Sequence, residues 1–284
     1  MSGGYNVTEN PYLKVLLEKA KAANPIEDGD YQVEGLWYCG KCRTPKQLRV
    51  DFGGDVFFPM TECQCKRERR EADKREYQER QEADRREQRR RECFPEVKMR
   101  GWTFDKDDRK NAEKTHTAQG YVENFLEFLK AGKGLLLFGS VGVGKSFLAA
   151  CICNALIDNG YTAHMTNLSR LVNQIFSAKD KQEVIDGLQR FDLLVIDDFG
   201  IERETEYMTE NVYSIIEARR GSGLPMILTT NLTAEQLGTS QDEVKNRIMS
   251  RLKEVCIPIQ FTGQDRRAKK LTEDYQRLKG LLNL

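Results

Sequence analysis

The sequence predicts an α/β fold: a parallel five-stranded sheet with helices on both faces, preceded by a small cysteine-bearing module and a charged helical linker. Three observations carry this reading. Five apolar segments alternate with helical stretches from residue 133 onward. A glycine-rich loop, GSVGVGKS at 139–146, joins the first of these segments to a helix. An almost wholly charged run, residues 66–92, separates that region from four clustered cysteines.

Composition sets bounds on function. The chain has 284 residues, 39% hydrophobic and 31% charged, with a net charge of +1. A polycation is excluded, so any nucleic-acid surface must be a local patch. No apolar run approaches the ~20 residues that span a bilayer. The start, MSGGYNVTEN, lacks the basic and apolar regions of a secretory signal. A cytoplasmic protein is expected, with no membrane partner and its eight cysteines reduced.

From the N-terminus, residues 1–65 form the expected first module. PYLKVLLEKAKAA after Asn10 reads as a short helix ended by Asn24-Pro25. Cys39-Gly-Lys-Cys42 and Cys63-Gln-Cys65 are twenty residues apart, with Gly53-Gly54 between two apolar runs. This spacing suits a tetrahedral Zn²⁺ in a zinc-ribbon-like module closed by a hairpin. CxC is looser evidence than a second CxxC, and unligated thiols or a redox pair are the alternatives. Cys93, Cys151, Cys153 and Cys256 lack such company, and the last three lie in apolar, core-like stretches.

Residues 66–92 alternate in charge without an apolar seam, and Glu and Arg recur three or four apart. A solvated single helix is favoured over a disordered spacer. Phe94, Trp102, Phe104 and the amphipathic run AQGYVENFLEFLKAG then lead into residues 133–284. The strands are GLLLFG (134–139), YTAHMT (161–166), LLVIDD (193–198), PMILTTN (225–231) and VCIPIQF (255–261). The third and fourth are near-continuous apolar runs, as strands covered on both faces require. The first helix stops at Asn159-Gly160. Ligands of such a sheet lie beyond the carboxyl ends of its strands.

Gly139-Ser140-Val141-Gly142-Val143-Gly144-Lys145-Ser146 matches GxxxxGK[ST] in its required strand–loop–helix context. The glycines let backbone N–H groups face phosphates, and the helix N-terminus adds positive charge. Lys145 reaches the β- and γ-phosphates of ATP, and the Ser146 hydroxyl ligates Mg²⁺. Asp197 and Asp198 close the third strand. Asp197 is expected to hold Mg²⁺ and Asp198 to be the base for the attacking water, the alternative being a turn cap. Asp is one methylene shorter than the Glu that many such enzymes carry there, so either the water lies closer to Asp198 or hydrolysis is slow. Asn231, at the end of the fourth strand, either orients the water or starts a turn. Arg247 and Arg251 share a helix face in NRIMSRLKE. They are candidates to reach a γ-phosphate on a neighbouring subunit, against the plain reading of a solvated face.

GSVGVGKS, LLVIDDFG, ILTTNL and NRIMSRL, in this order and spacing, resemble AAA+ ATPases, and more closely the bacterial and phage replicative helicase loaders of the DnaC/DnaI type. The likeness covers about residues 94–262. It implies an ATPase, with ATP, Mg²⁺ and Zn²⁺ as cofactors, that binds single-stranded DNA and places a hexameric replicative helicase on it. It also implies that Arg251 acts in trans as an arginine finger through self-association, with Arg247 in support. Helices in NLSRLVNQIFSAKDKQEVIDGLQR would contact DNA, with Phe176 on bases and Arg170 and Lys179 on phosphates; Phe176 reads equally as core. Residues 1–65 would grip the helicase, 66–92 would link, and 93–284 would be the ATPase domain. The chain departs from the family in its charged linker and in lacking a clear second sensor, for which Arg266 and Arg267 are candidates. Two other readings stand: an IstB-type transposition regulator, and a nucleotide-gated adaptor with little hydrolysis.

Overall fold

The structure is a computed structural model. It describes residues 11–52, 55–108, 110–200, 206–238, 243–266, 275, 278, 279 and 281, and not the side chains of 52, 55, 206–209, 244 and 245. The chain divides into two compact units, Met1–Ala83 and Asp84–Leu284.

In the first unit, helix α1 (Pro11–Ala23) precedes a hairpin of β1 (Tyr31–Val33) and β2 (Leu36–Tyr38). Glu34 and Gly35 join these strands with φ of 50° and 82°. Two consecutive positive φ values make the tight turn whose twist matches the strands it connects. A second antiparallel pair, β3 (Val50–Phe52) and β4 (Asp55–Phe57), brackets Gly53-Gly54, which lie outside the described residues. The expected helix after Asn10 is therefore present, and the single expected hairpin is joined by another upstream.

The charged run is helical: α2 spans Gln64–Cys93 and carries one buried residue, Cys93. Exposed Glu–Arg pairs such as Glu87–Arg91 decorate it. Each contributes only a few tenths of a kcal/mol, so continuity of good helix formers matters more than any one pair.

In the second unit, α3 (Ala112–Glu123) and α4 (Phe125–Ala131) replace the single amphipathic run expected there. Asn124 breaks it, and Gly132 in the left-handed region ends it. Then come β5 (Gly134–Gly139), α5 (Lys145–Asp158), β6 (Ala163–Asn167), α6 (Leu168–Ser177), α7 (Lys181–Leu188) and β7 (Leu193–Asp197). They are followed by α8 (Glu206–Ser222), β8 (Met226–Thr230), α9 (Glu243–Val255) and β9 (Cys256–Phe261). The five strands are ordered β6-β7-β8-β5-β9 and pair in parallel throughout. All five expected strands are present.

Alternation along the strands produces two core layers. Leu136 and Phe138 face a cluster with α6, α7, α8 and α9. Leu135 and Leu137 face a cluster built from α3, α4, α5 and the chain around Cys93–Met99. Cys93, Cys151, Cys153 and Cys256 are all buried, Cys93 included, although it follows a charged run. Among the described residues no helix is long and apolar enough to cross a membrane.

Two buried polar side chains lock the layers. Asn154 on α5 donates to the carbonyls of Met99, Trp102 and Ala150 and accepts from Arg90 Nε at the end of α2. Arg219 on α8 is fully buried and donates to the carbonyl oxygens of Leu188, Phe191, Asp192 and Pro225. Burial pushes its guanidinium down to about 10. It gathers the ends that precede β7 and β8, so the sheet's central strands start in register. Arg219→Met strands these acceptors and is expected to destabilise the second unit by about 3 kcal/mol. Urea unfolding reads this as a lower midpoint at unchanged slope.

Candidate nucleotide site and cysteine cluster

The loop between β5 and α5 turns back on itself. Gly139, Gly142 and Gly144 have φ of 123°, 74° and 102°. At Gly139 a Cβ would stand 2.1 Å from the carbonyl oxygen of Phe261 on β9, so the first turn admits no side chain. The turn aims Lys145, largely buried, back across the loop. Its Nζ donates to Gly139 O at 2.9 Å, Ser140 O at 2.6 Å and Asn231 Oδ1 at 2.8 Å. Asn231 follows β8 and Lys145 follows β5, and these strands are neighbours in the sheet. The predicted phosphate-binding lysine and the predicted water-orienting amide are thus in direct contact.

Asp197 ends β7 beside the same loop. Burial raises its carboxyl, while hydrogen bonds with Thr229 and Ser146 work in the opposite direction. Thr229 Oγ1 donates to Asp197 Oδ1 at 2.5 Å and accepts from the Asp198 backbone N–H at 3.0 Å. Ser146 and Asp197, the two residues expected to hold Mg²⁺, are hydrogen-bonded neighbours, and both are hard oxygen donors. Asp198 is exposed and has a φ of 53°, a left-handed conformation that Asp tolerates better than bulkier residues. The backbone reversal there turns its carboxylate away from the strand and into the cleft. Thr229 lay within the fourth strand without an assigned part; only the strand pairing reveals its place between the two aspartates.

A cleft of about 300 Å³ opens beside the loop and Asp198. Its lining adds Trp102, Lys106, Asp107, Asp108, Phe147 and Arg266 to Gly142, Gly144, Lys145, Ser146, Asp198 and Asn231. Trp102 and Phe147 are tilted rings 5.8 Å apart. Arg266 donates its backbone N–H to Gly142 O at 3.0 Å and pairs with Asp108 at 2.9 Å. Arg266 thus reaches the cleft, whereas Arg267 lies outside the described residues. The lead-in supplies a wall that no motif in residues 101–108 announced.

Arg251 and Arg247 lie elsewhere. Arg251 ion-pairs with Glu217 on α8 at 2.9 Å, and Arg247 with Glu243 at 3.6 Å. On α6, Phe176 is 75% exposed, which removes the core reading; Arg170 and Lys179 are exposed as well.

In the first unit the four expected cysteines converge. The thiols of Cys39, Cys42, Cys63 and Cys65 all lie within 4.8 Å of one another. Cys39 and Cys65 sulfurs are 3.7 Å apart and those of Cys63 and Cys65 3.4 Å. Sulfurs bound to one tetrahedral Zn²⁺ at ~2.3 Å stand ~3.8 Å apart, so the set fits the ion. Burial opposes ionisation of Cys42, but hydrogen bonds from Thr44 and the Cys65 backbone outweigh it and bring the thiol down to about 5. Hydrogen bonds with the Cys63 and Cys42 sulfurs push Cys65 up to about 12. The first pair's loop is held by Asp30, which accepts from Gly40 N–H and Glu27 N–H and ion-pairs with buried Lys46 at 2.5 Å. Gly40 has no room for a Cβ, which would meet Gly29 O at 2.0 Å.

The family model described as IstB-like ATP binding protein matches residues 73–273, more than two thirds of the chain. The chain belongs to the IstB-like ATP-binding protein family. Its five-stranded parallel sheet and phosphate loop are those of a P-loop ATPase of the AAA+ type. The replicative helicase loader DnaI of Bacillus subtilis (strain 168) is 25% identical over 270 residues, covering 87% of this chain and 83% of that one. The replicative helicase loader DnaC of Escherichia coli (strain K12) is 28% identical over 141 residues, covering 48% of this chain and 55% of that one. A crystal structure of DnaI superposes with a TM-score of 0.51 at 26% identity, covering 61% of this chain and 95% of that one.

In this IstB-like domain Thr229 supports both aspartates without facing the cleft. Thr229→Val keeps its shape and removes the bridge. Turnover of ATP is expected to fall about tenfold or more, the scale seen when an outer partner of a metal ligand is lost. Nucleotide affinity without Mg²⁺, measured with a fluorescent analogue, stays at the parent level.

Proposed function

We propose that the protein is an ATP-dependent loader of a replicative DNA helicase. One observation supports this most. The likeness to DnaI takes in 87% of the chain, more than residues 73–284 can supply, so it extends into the first unit as well as the ATPase domain. The family model begins at residue 73 and does not include Cys39, Cys42, Cys63 and Cys65.

The residues suggest how the work is divided. Loop amides and Lys145 bind the triphosphate. Ser146 and Asp197 hold Mg²⁺, which offsets charge on the β- and γ-phosphates. Asp198 takes the proton of the attacking water and Asn231 orients that water. Arg251 from a second copy meets the γ-phosphate. Phe176 stacks on single-stranded DNA while Arg170 and Lys179 contact its phosphates. Cys39, Cys42, Cys63 and Cys65 hold one structural Zn²⁺, so that residues 1–65 present a folded surface to the helicase, with 66–92 as linker and 93–284 as motor. ATP binding assembles the loader, and hydrolysis releases the helicase.

Family membership favours a second reading, a transposition regulator of the IstB type acting with a transposase on duplex DNA. Co-purification decides between them. The full chain is expected to retain a replicative helicase from the same genome and to prefer single-stranded over duplex DNA. Failure to retain the helicase with and without ATP, together with duplex preference, contradicts loading. Asp198→Ala is expected to abolish turnover while the helicase is still retained; turnover equal to the parent's would remove Asp198 as base.

The zinc assignment has its own test. Elemental analysis should find one zinc per chain, lost in Cys42→Ala. Chelation should melt the first unit by circular dichroism and break helicase association while ATP binding persists. An unchanged melt after metal removal contradicts a structural ion.

A further inference from the structure

The parallel sheet places the candidate finger on the far side of its own domain from the nucleotide cleft. β9 and β5 run in parallel with Cys256 opposite Gly134 and Phe261 opposite Gly139. The phosphate loop leaves the Gly139 end, whereas Arg251 stands five positions before Cys256, at the other end. A six-residue strand separates the two edges by about 20 Å. Arg251 can therefore serve only a triphosphate bound to a second copy of the chain.

Arg251 is held at that edge. Its Nε pairs with Glu217 Oε1 at 2.9 Å, and its NH1 reaches Glu254 Oε2 at 3.4 Å. The other Glu217 oxygen is bound by Arg220 NH2 at 2.9 Å, and Arg220 NH1 lies 3.5 Å from Glu254. Two helices, α8 and α9, thus share a closed square of two arginines and two glutamates. The α9 end is pinned as well, since Lys133 Nζ donates to the Glu254 carbonyl. Glu217 is the more enclosed acid of the two, with its side chain 26% exposed against 49% for Glu254.

We propose that Glu217 is the positioning residue for the trans-acting Arg251: it holds the guanidinium at Nε while Glu254 meets NH1, so that NH2 is the nitrogen offered to a neighbour's γ-phosphate. This rests on the finger reading given above. Two contacts at different nitrogens, the ion pair at Nε and the hydrogen bond from NH1, restrict the guanidinium more than either does alone. Arg220 keeps the Glu217 carboxylate from rotating. Holding a long side chain in one rotamer before the neighbour arrives lowers the ordering cost of assembly. Among the described residues Arg247 pairs with Glu243 of its own helix and is far more exposed than Arg251.

Mixed assemblies test this. The donor copy carries Lys145→Ala, so its cleft is disabled and its Arg251 intact. The acceptor copy carries Arg251→Ala, so its cleft is intact and its finger absent. Equal mixing with ATP, Mg²⁺ and single-stranded DNA is expected to restore turnover that neither variant has alone. Adding Glu217→Ala to the donor should cut the restored turnover about tenfold or more through misplacement of a reacting group. Glu217→Gln in the donor should fall between. Adding Glu217→Ala to the acceptor should cost nothing further, because that copy has no finger to position. Sedimentation velocity with ATP gives the same comparison as extent of assembly.

The proposal is overturned if donor-side Glu217→Ala leaves the restored turnover intact. It is also overturned if the loss is equal from either side, which marks a brace between α8 and α9 and nothing more. Mixing that restores neither turnover nor assembly, with both variants folded, removes the finger reading itself.

Discussion

The ammonium of Lys145 is the point on which the domain's arrangement depends. It lies almost buried, with its charge met by two loop carbonyls and the Asn231 amide oxygen. These oxygens hold the ammonium at the mouth of the loop, where a triphosphate anion can meet it. The loop's tight turn, the adjacency of β5 and β8, and the reversal at Asp198 all serve to bring one cation and two carboxylates to the same edge of the sheet. That edge is the carboxyl one because every strand pair is parallel.

The same parallel order has a cost for a single copy. Arg251, near the end of α9, lies at the amino edge, out of reach of its own triphosphate. The square of Glu217, Arg220, Arg251 and Glu254 is neutral as a whole, which lets it sit partly enclosed until a second molecule meets it. On our proposal, nucleotide and assembly are then two descriptions of one event: the loop and Lys145 of one copy await phosphate, and a seated arginine in the next awaits the same phosphate.

Much of this was legible in the sequence, for identifiable reasons. Strands such as LLVID are buried on both faces, and continuous apolar runs of that length have few alternatives. The phosphate loop and the cysteine spacing are legible because covalent distance along the chain nearly determines their geometry. Other features depend on contacts across the fold. Trp102, Asp107 and Asp108 enter the cleft only because Asn154 and Arg266 draw the lead-in against α5 and the loop. Phe176 was ambiguous by spacing. Leu168, Leu171, Val172 and Ile175 fill the buried stripe of α6, and the following position rotates about 100° away from it. Arg219 gave no local signal at all: its four carbonyl partners come from two separate chain segments, 188–192 and Pro225. Cys93 was hidden by its charged neighbours, although it closes α2 inside the core.

The measurement that bears most directly on this account is equilibrium binding of ATP with Mg²⁺ to the full chain and to Lys145→Ala, by calorimetry. Loss of a charge-assisted contact in an enclosed site predicts about tenfold to a hundredfold weaker binding. Equal affinities in a folded variant would contradict the convergence of loop, lysine and aspartates on the triphosphate.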